Sequence, residues 1–393
     1  MKQIAEGIYY VGVNDRDKER FETLWPLPLG VAYNSYLIVD EKVTLIDTVD
    51  SRFFPEYIDK IRQVIGGRAI DYLVINHMEP DHSGSLALVR QVYPDVCLVG
   101  NKKTLSMVEG FYGEAGETLA VADGQELSIG ETALKFYLTP MVHWPETMMT
   151  YHSATKTLFS GDAFGCFGAL NGGVRDTELQ IESYFPEMLR YYSCIVGKYG
   201  AQVQMALKKL AQVPLNRICS THGPVWETAI DRVFSVYDRL SRYEGERGAC
   251  LVFASMYGNT TRMAEAVSEG MIQAGMNSLS VHQIGKTDPS YMIADAFHYN
   301  TLVLGAPTYN NGLFPAMESY LSALKERGLK NRRVAVFGSF SWASQAVKHL
   351  AEFAALPGMT LVGEPVEMKQ GFNREVEQRC IELGKQIAGS IGV

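Results

Sequence analysis

The chain has 393 residues, 47% of them apolar, which is too long for one ordinary core and sets an expectation of two domains. Its 36 basic and 44 acidic side chains leave a net charge of -8 with no basic stripe, which argues against nucleic acid as the main partner. The apolar runs are strand-sized and the first seven residues lack the apolar core of a signal peptide, so neither a membrane span nor secretion is expected.

In the first half, residues 7–13 alternate as a strand, and residues 36–39 and 43–46 flank a short polar turn as a hairpin. Residues 51–65 read as an amphipathic helix. The buried strand expected at 72–75 runs into His77-Met-Glu79-Pro-Asp81-His82, which packs two imidazoles and two carboxylates into six residues. A strand ending in such a cluster reads as a metal site at a sheet rim. Carboxylate oxygens beside imidazoles move the preference from zinc toward iron or manganese. Pro80 is expected to hold this loop extended. Alternate residues then share one face, so His77, Glu79 and Asp81 should converge, with His82 turned to a second ion.

A helix is expected over 83–93, further strands at 96–99, 134–138, 148–152, 157–159 and 217–220, and an interrupted helical stretch over 183–213. Strand pairs with interleaved helices point to a sandwich of the α+β or α/β kind. Three loops after apolar runs add His143, Asp162 and His222 to the candidate ligands. Four His and three carboxylates suffice for two ions with one bridging carboxylate, the role given to Asp162. His152, His282, His298 and His349 have no such company and read as structural. Six scattered cysteines, at 97, 166, 194, 219, 250 and 380, form no Cys-x-x-Cys pair. A disulfide framework, a zinc knuckle and a built-in rubredoxin-type iron centre are not expected, and a reduced cytoplasmic compartment is.

The rhythm changes at the charged, Gly-containing segment 242–248, which sets domain limits of 1–247 and 248–393. From Ala249 onward there are 12 basic and 12 acidic side chains, so the acidic excess lies before it. Strands are expected at 249–254, 279–283, 301–305, 333–338 and 360–362, with helices starting near Thr260, Pro315, Ser344 and Asn373. That alternation predicts a doubly wound parallel sheet. Ser255, Met256, Tyr257, Gly258, Asn259 and Thr260 join the first strand to the first helix as a phosphate cradle of backbone N–H groups and hydroxyls. Neither Gly-Lys-Ser/Thr nor Gly-x-Gly-x-x-Gly is present, which leaves a single mononucleotide phosphate. Pro307, Thr308, Tyr309, Asn310 and Asn311, then Ser339, Phe340, Ser341 and Trp342, form two more loops at strand ends, where open α/β sheets bind ligands. Tyr309 and Trp342 offer flat faces to a planar ring; Asn310, Asn311 and Ser341 offer hydrogen bonds to its edge.

The order His-x-Glu-x-Asp-His, His, Gly-Asp, His-Gly resembles the metallo-β-lactamase fold, whose hydrolytic members usually carry His-x-His-x-Asp-His. Glu79 at the second His position is the pattern of flavodiiron proteins, and the phosphate loop resembles that of flavodoxins. The resemblance covers essentially the whole chain. It implies an N-terminal α/β metallo-β-lactamase-like αββα sandwich and a C-terminal α/β flavodoxin-like doubly wound parallel sheet. It implies one iron on His77, Glu79 and His143, a second on Asp81, His82 and His222, and Asp162 between them. His82 is the ligand that water displaces in some members. The implied activity passes electrons through FMN to the diiron centre, which reduces dioxygen to water or nitric oxide to nitrous oxide. The implied donor is external, a rubredoxin or a reduced flavin- or deazaflavin-type donor. The implied assembly is a head-to-tail homodimer or a dimer of dimers. Trp25, Trp144, Phe164 and Tyr192 are pocket candidates on proximity or on that analogy. The rival reading, a dizinc hydrolase with an accessory flavodoxin-like domain, is opposed by Glu79 and by the FMN loops. Finally, residues 325–333 hold five cations and one acid. They read either as a solvated helix end or as a docking patch for an acidic donor such as rubredoxin.

Overall fold

In the computed structural model, which describes residues 2–114 and 116–392, the chain divides into two compact units between Asp238 and Arg239. The first is built on two sheets. One runs in the order Lys2–Ala5, Ile8–Tyr10, Tyr36–Val39, Val43–Ile46, Tyr72–Val74, Cys97–Gly100 and Thr118–Ala120. The other runs Glu126–Ser128, Ala133–Leu138, Met148–His152, Thr157–Gly161 and Arg217–Ser220. Their inner faces meet through apolar and polar contacts alike. The Tyr36 ring lies 5.3 Å from that of Phe159, and the Thr150 hydroxyl donates to Asn76 Oδ1 at 2.7 Å. Helices such as Phe54–Ile65 lay an apolar stripe of Tyr57, Ile58, Ile61 and Ile65 on the layered core.

The expected 183–213 helix is broken into Tyr184–Tyr191, a π-helical turn Tyr192–Val196, a 3₁₀ turn and Gly200–Leu210. The extended loop expected through Pro80 is not formed. Glu79 is extended (ψ 138°), but Pro80 opens a short helix, Pro80–Ser83. A proline disfavours the helical region for the residue before it, whereas its own fixed φ suits a helix's first turn.

The second unit is one parallel sheet in the order Leu279–Gln283, Glu246–Phe253, Tyr299–Tyr309, Arg332–Phe340, Met359–Leu361. A short sixth strand, Val366–Lys369, pairs with the end of Arg332–Phe340. This is the 2-1-3-4-5 order, which reverses beside its first strand. The helix Pro289–His298, absent from the sequence expectation, is announced by Asp288-Pro289: the Asp288 carboxylate caps Ser290 N at 2.9 Å and proline takes the first position.

One cation of the basic segment is not a surface group at all. Arg332 is buried, and its guanidinium donates to the carbonyls of Ala296, Phe297, Tyr243, Lys330 and Asn331. It also starts the strand whose other end carries Ser339, roughly 23 Å away at strand rise.

Helices Asn259–Gln273 and Arg374–Ser390 cross at a pair of glycines. A Cβ on Gly384 would fall 2.2 Å from the Val267 carbonyl oxygen, and one on Gly270 2.1 Å from that of Ile381. Gly384→Ala should therefore lower this domain's stability by about 1–3 kcal/mol, read as a lower urea midpoint, without changing bound metal.

Candidate metal centre and mononucleotide cavity

Four loops bring seven donor side chains into one buried cluster. His77 and Glu79 follow the strand Tyr72–Val74, and Asp81 and His82 stand on the helical turn after them. His143 lies between two antiparallel strands, Ala133–Leu138 and Met148–His152. Asp162 and His222 follow Thr157–Gly161 and Arg217–Ser220. Strand ends can place such loops because the sheet fixes the backbone up to the last paired residue.

The donors fall into two sets, His77, Glu79, His143 and Asp162 in one and Asp81, His82 and His222 in the other. In the first, Glu79 Oε2 is 3.3 Å from His77 Nε2 and 3.2 Å from His143 Nε2. Asp162 Oδ2 is 3.0 Å from His143 Nε2, while its Oδ1 is 3.0 Å from His82 Nε2. One carboxylate thus turns an oxygen to each set. In the second, Asp81 Oδ2 is 3.4 Å from both His82 Nε2 and His222 Nε2, which are 3.0 Å from each other. Asp81 therefore sits with His82 and not with His77 and Glu79, as simple alternation had it. The helical turn at Pro80 is the cause.

In the second unit, a cavity of about 380 Å³ opens at the carboxyl ends of three parallel strands. It is lined by every residue predicted for the three loops except Gly258, with Ala343 and Gln370 in addition. Gly258, at φ 88°, turns the loop into the helix Asn259–Gln273, and no side chain caps that helix. Its first N–H groups are therefore left for a ligand's phosphate.

The family model for the ODP family beta lactamases matches residues 31–223, and that for flavodoxins matches 251–384. The chain is 30% identical to the nitric oxide reductase of Moorella thermoacetica, over 99% of this chain and 98% of that one. It is 30% identical to the rubredoxin-oxygen oxidoreductase of Megalodesulfovibrio gigas, over 93% and 92%. Among solved structures, the flavodiiron protein from Giardia intestinalis superposes with a TM-score of 0.94 at 28% identity, over 99% of this chain and 96% of that one. The chain belongs to the flavodiiron protein family.

The chemistry of the donors suits the two ions of a flavodiiron centre. Both Asp81 oxygens are buried without a hydrogen-bond partner, and two imidazole Nε2 atoms face each other. Each arrangement is costly unless a cation sits among them. Groups outside the cluster fix the rings. His77 Nδ1 lies 2.8 Å from Glu146 Oε1, and His222 Nδ1 lies 2.8 Å from the Ala32 carbonyl. An N–H donated to these acceptors leaves each Nε2 lone pair facing inward. Thr221 donates its hydroxyl to Asp162 Oδ1. His82 Nδ1 is buried with no such acceptor. The cavity suits FMN as well: its lining is uncharged, it holds the rings of Tyr309 and Trp342, and the open helix start faces it.

Without metal the cluster is held by its own charges. Burial alone would push His77 down, but Asp162 and the hydrogen bonds to Glu146 and Glu79 outweigh it and hold it well above the usual value. For His82, burial is outweighed by Asp81 and Asp162, and for His143 by its bonds to Asp162 and Glu79; both are pushed up to about 9. Burial would raise Glu79 and Asp162, yet the surrounding histidines hold both well below the carboxylate range.

Of the pocket candidates, Trp144 stands edge-on to His77 at 5.3 Å. Phe164 instead packs on Phe234 and Tyr237, and Tyr192 on Tyr237. The missed tyrosine is Tyr191, 5.6 Å from the His222 ring. Glu146 was also missed, although it lies three residues after His143. The remaining histidines have ordinary neighbours. His282 pairs with Asp295 at 2.7 Å, His349 with Glu352 at 3.2 Å, and His152 bonds Thr155 and Thr132.

Three outcomes are expected. Glu146→Gln should weaken metal binding about 10–100-fold, read by competition with a chelator. His82→Ala should cost less affinity than His222→Ala, because no acceptor orients the His82 ring. The metal-free protein should be pH-sensitive. Histidines raised in the folded state stabilise fully below their unfolded value near 6.5, and that stability is lost as pH climbs through about 9. The lowered carboxylates stabilise above their unfolded values near 4 and lose that contribution on acidification. Thermal melts of the apo form should thus fall on both sides of pH 5–6, whereas metal-loaded protein should hold its melting temperature to pH 9.

Proposed function

We propose that this chain is an oxidoreductase that passes electrons from an external donor through FMN, held by residues 248–393, to a diiron centre in residues 1–247. That centre reduces dioxygen to water, nitric oxide to nitrous oxide, or both. The observation carrying this reading is Glu79, whose carboxylate lies between His77 and His143 at 3.3 and 3.2 Å. Carboxylate oxygen at that position favours a harder, redox-active ion over zinc. The names of the relatives, a nitric oxide reductase and a rubredoxin-oxygen oxidoreductase, support both gases and a rubredoxin as donor.

Iron and FMN, when bound, supply electron storage and transfer that no side chain can. His77, Glu79 and His143 would hold one ion, Asp81, His82 and His222 the other, and Asp162 both. Glu146 and the Ala32 carbonyl hold the imidazole N–H groups on the outer side of the cluster. Trp144, Phe21 and Tyr191 pack against the imidazole rings and keep bulk water from the donor atoms. In the other domain, Ser255 and Thr260 would meet the FMN phosphate, and Tyr309 and Trp342 the ring. A head-to-tail pair of chains, the flavin of one beside the metal centre of the other, belongs to the same proposal. Its support is the apolar surface left open at the cavity rim, where Tyr257 is 91% and Trp342 84% exposed.

Anaerobically purified protein should contain about two irons and one FMN per chain and should consume dioxygen or nitric oxide with a reduced donor. Asp162→Ala should abolish gas consumption while leaving the flavin absorbance in place. Zinc in place of iron, with no flavin retained, would turn the assignment to a hydrolase. Full turnover by isolated monomers at high dilution would overturn the pairing.

A further inference from the structure

A cavity of about 240 Å³ opens beside the metal cluster, lined by Phe21 and Glu22 and by Glu79, Pro80 and Asp81. Glu22 lies in the turn joining the paired strands Arg20–Phe21 and Trp25–Pro26. Leu24 N donates to the Phe21 carbonyl at 2.9 Å, and Glu22 and Thr23 both have positive φ, 49° and 59°. This is a type I′ turn, which Asn and Gly adopt readily and which Glu and β-branched Thr resist. Such strain persists only where neighbouring contacts over-determine it, and it gathers at functional sites. Here the neighbouring contact is buried Trp25, whose indole Nε1 donates to Glu22 Oε2 at 3.1 Å. A neutral donor orients the carboxylate without cancelling its charge.

The other charged groups of this cavity are each held in place, and Lys18 keeps its positive charge because its hydrogen-bond partner is a neutral hydroxyl. Asp50 is paired with Arg52 at 3.1 Å, Lys18 Nζ donates to the Tyr33 hydroxyl at 2.8 Å, and Glu79 and Asp81 belong to the donor sets. Burial first, and then the negative charges of Glu79 and Asp162, raise Glu22 above its usual value against the opposing pull of His143 and the Trp25 hydrogen bond, so Glu22 and the metal cluster feel each other's charge.

We propose that Glu22 is a specificity-determining residue of the gas-reducing site, a fixed negative charge at the cavity mouth that turns away anions and leaves uncharged diatomic gases free to enter. This rests on the diiron reading. Two irons held by three carboxylates and four neutral imidazoles carry a net positive charge and attract any small anion. A carboxylate at the entrance opposes that attraction and acts hardly at all on a neutral gas.

The test uses the iron-loaded holoprotein at pH 8, with azide as the anionic probe and nitric oxide as the neutral one. Azide affinity of the ferric protein is read from its charge-transfer band, and nitric oxide binding to the ferrous protein by stopped flow. Glu22→Gln keeps an acceptor for Trp25 and removes the charge. It should tighten azide binding about five-fold at low ionic strength, with the gain fading in about 0.5 M salt. Nitric oxide binding should stay within about two-fold, as expected for a ligand without charge. Glu22→Asp, which keeps the charge, should behave as the unaltered protein. Equal azide affinity of the Gln variant and the unaltered protein would overturn the role, and so would equal acceleration of both probes, which marks a steric opening. If both proteins hold iron and neither binds azide, the role of Glu22 fails and the diiron reading stands. If neither holds iron, the diiron reading fails and takes this role with it.

Discussion

Buried negative charge governs the first domain. Glu79, Asp81 and Asp162 lie within one cluster, and Asp47 and Glu146 are buried just behind it. So many carboxylates out of water are tolerable only with positive charge among them and hydrogen bonds around them. The surrounding structure supplies the second need. Asp47 accepts from Asn76 N at 2.7 Å, and Glu146 from Met78 N at 2.9 Å, so the acids behind the cluster tie down the backbone that presents the ligands. The first need is left to histidine protons or to metal, and metal is the better solution because it would also engage the Asp81 oxygens, which have no hydrogen-bond partner.

The second domain solves the opposite problem. Its cavity has no charged side chain in its lining and relies on a helix start, hydroxyls, amides and three exposed aromatic rings. A ligand bearing one phosphate and a broad flat ring matches those features, whereas a bare metal ion would find neither a carboxylate nor an imidazole there. The chain thus keeps its hard, anionic donors in one domain and its soft, planar surfaces in the other.

Much of this was legible in the sequence because ligands and loops each follow a strand, and strands announce themselves by apolar runs. His77 through His82, His143, Asp162 and His222 were all found that way. What escaped depends on tertiary closure. Glu146 acquires its role only when its loop folds over His77, and Tyr191 only through the helix that carries it to His222. Gln370 reaches the mononucleotide cavity just after a four-residue strand too short to show periodicity. Pro80 was misjudged for a different reason: its restriction acts on Glu79 before it, and the chain turns helical at the proline itself. Arg332 looked like a surface cation in a run of cations, and only its five carbonyl acceptors reveal a core residue.

The spacing of the ligands along the chain has a consequence for biogenesis. His82 and His222 face each other across 140 residues of sequence, and Asp162 touches both sets from between them. The first set is complete in sequence once Asp162 has been made, whereas the second waits for His222, nearly at the end of the first domain. Long-range closure of this kind is slow to form and comes late in folding. The two-ion site is therefore complete only when the end of the first domain closes onto its middle, so the pair of sites is a product of the finished fold and not of any local segment.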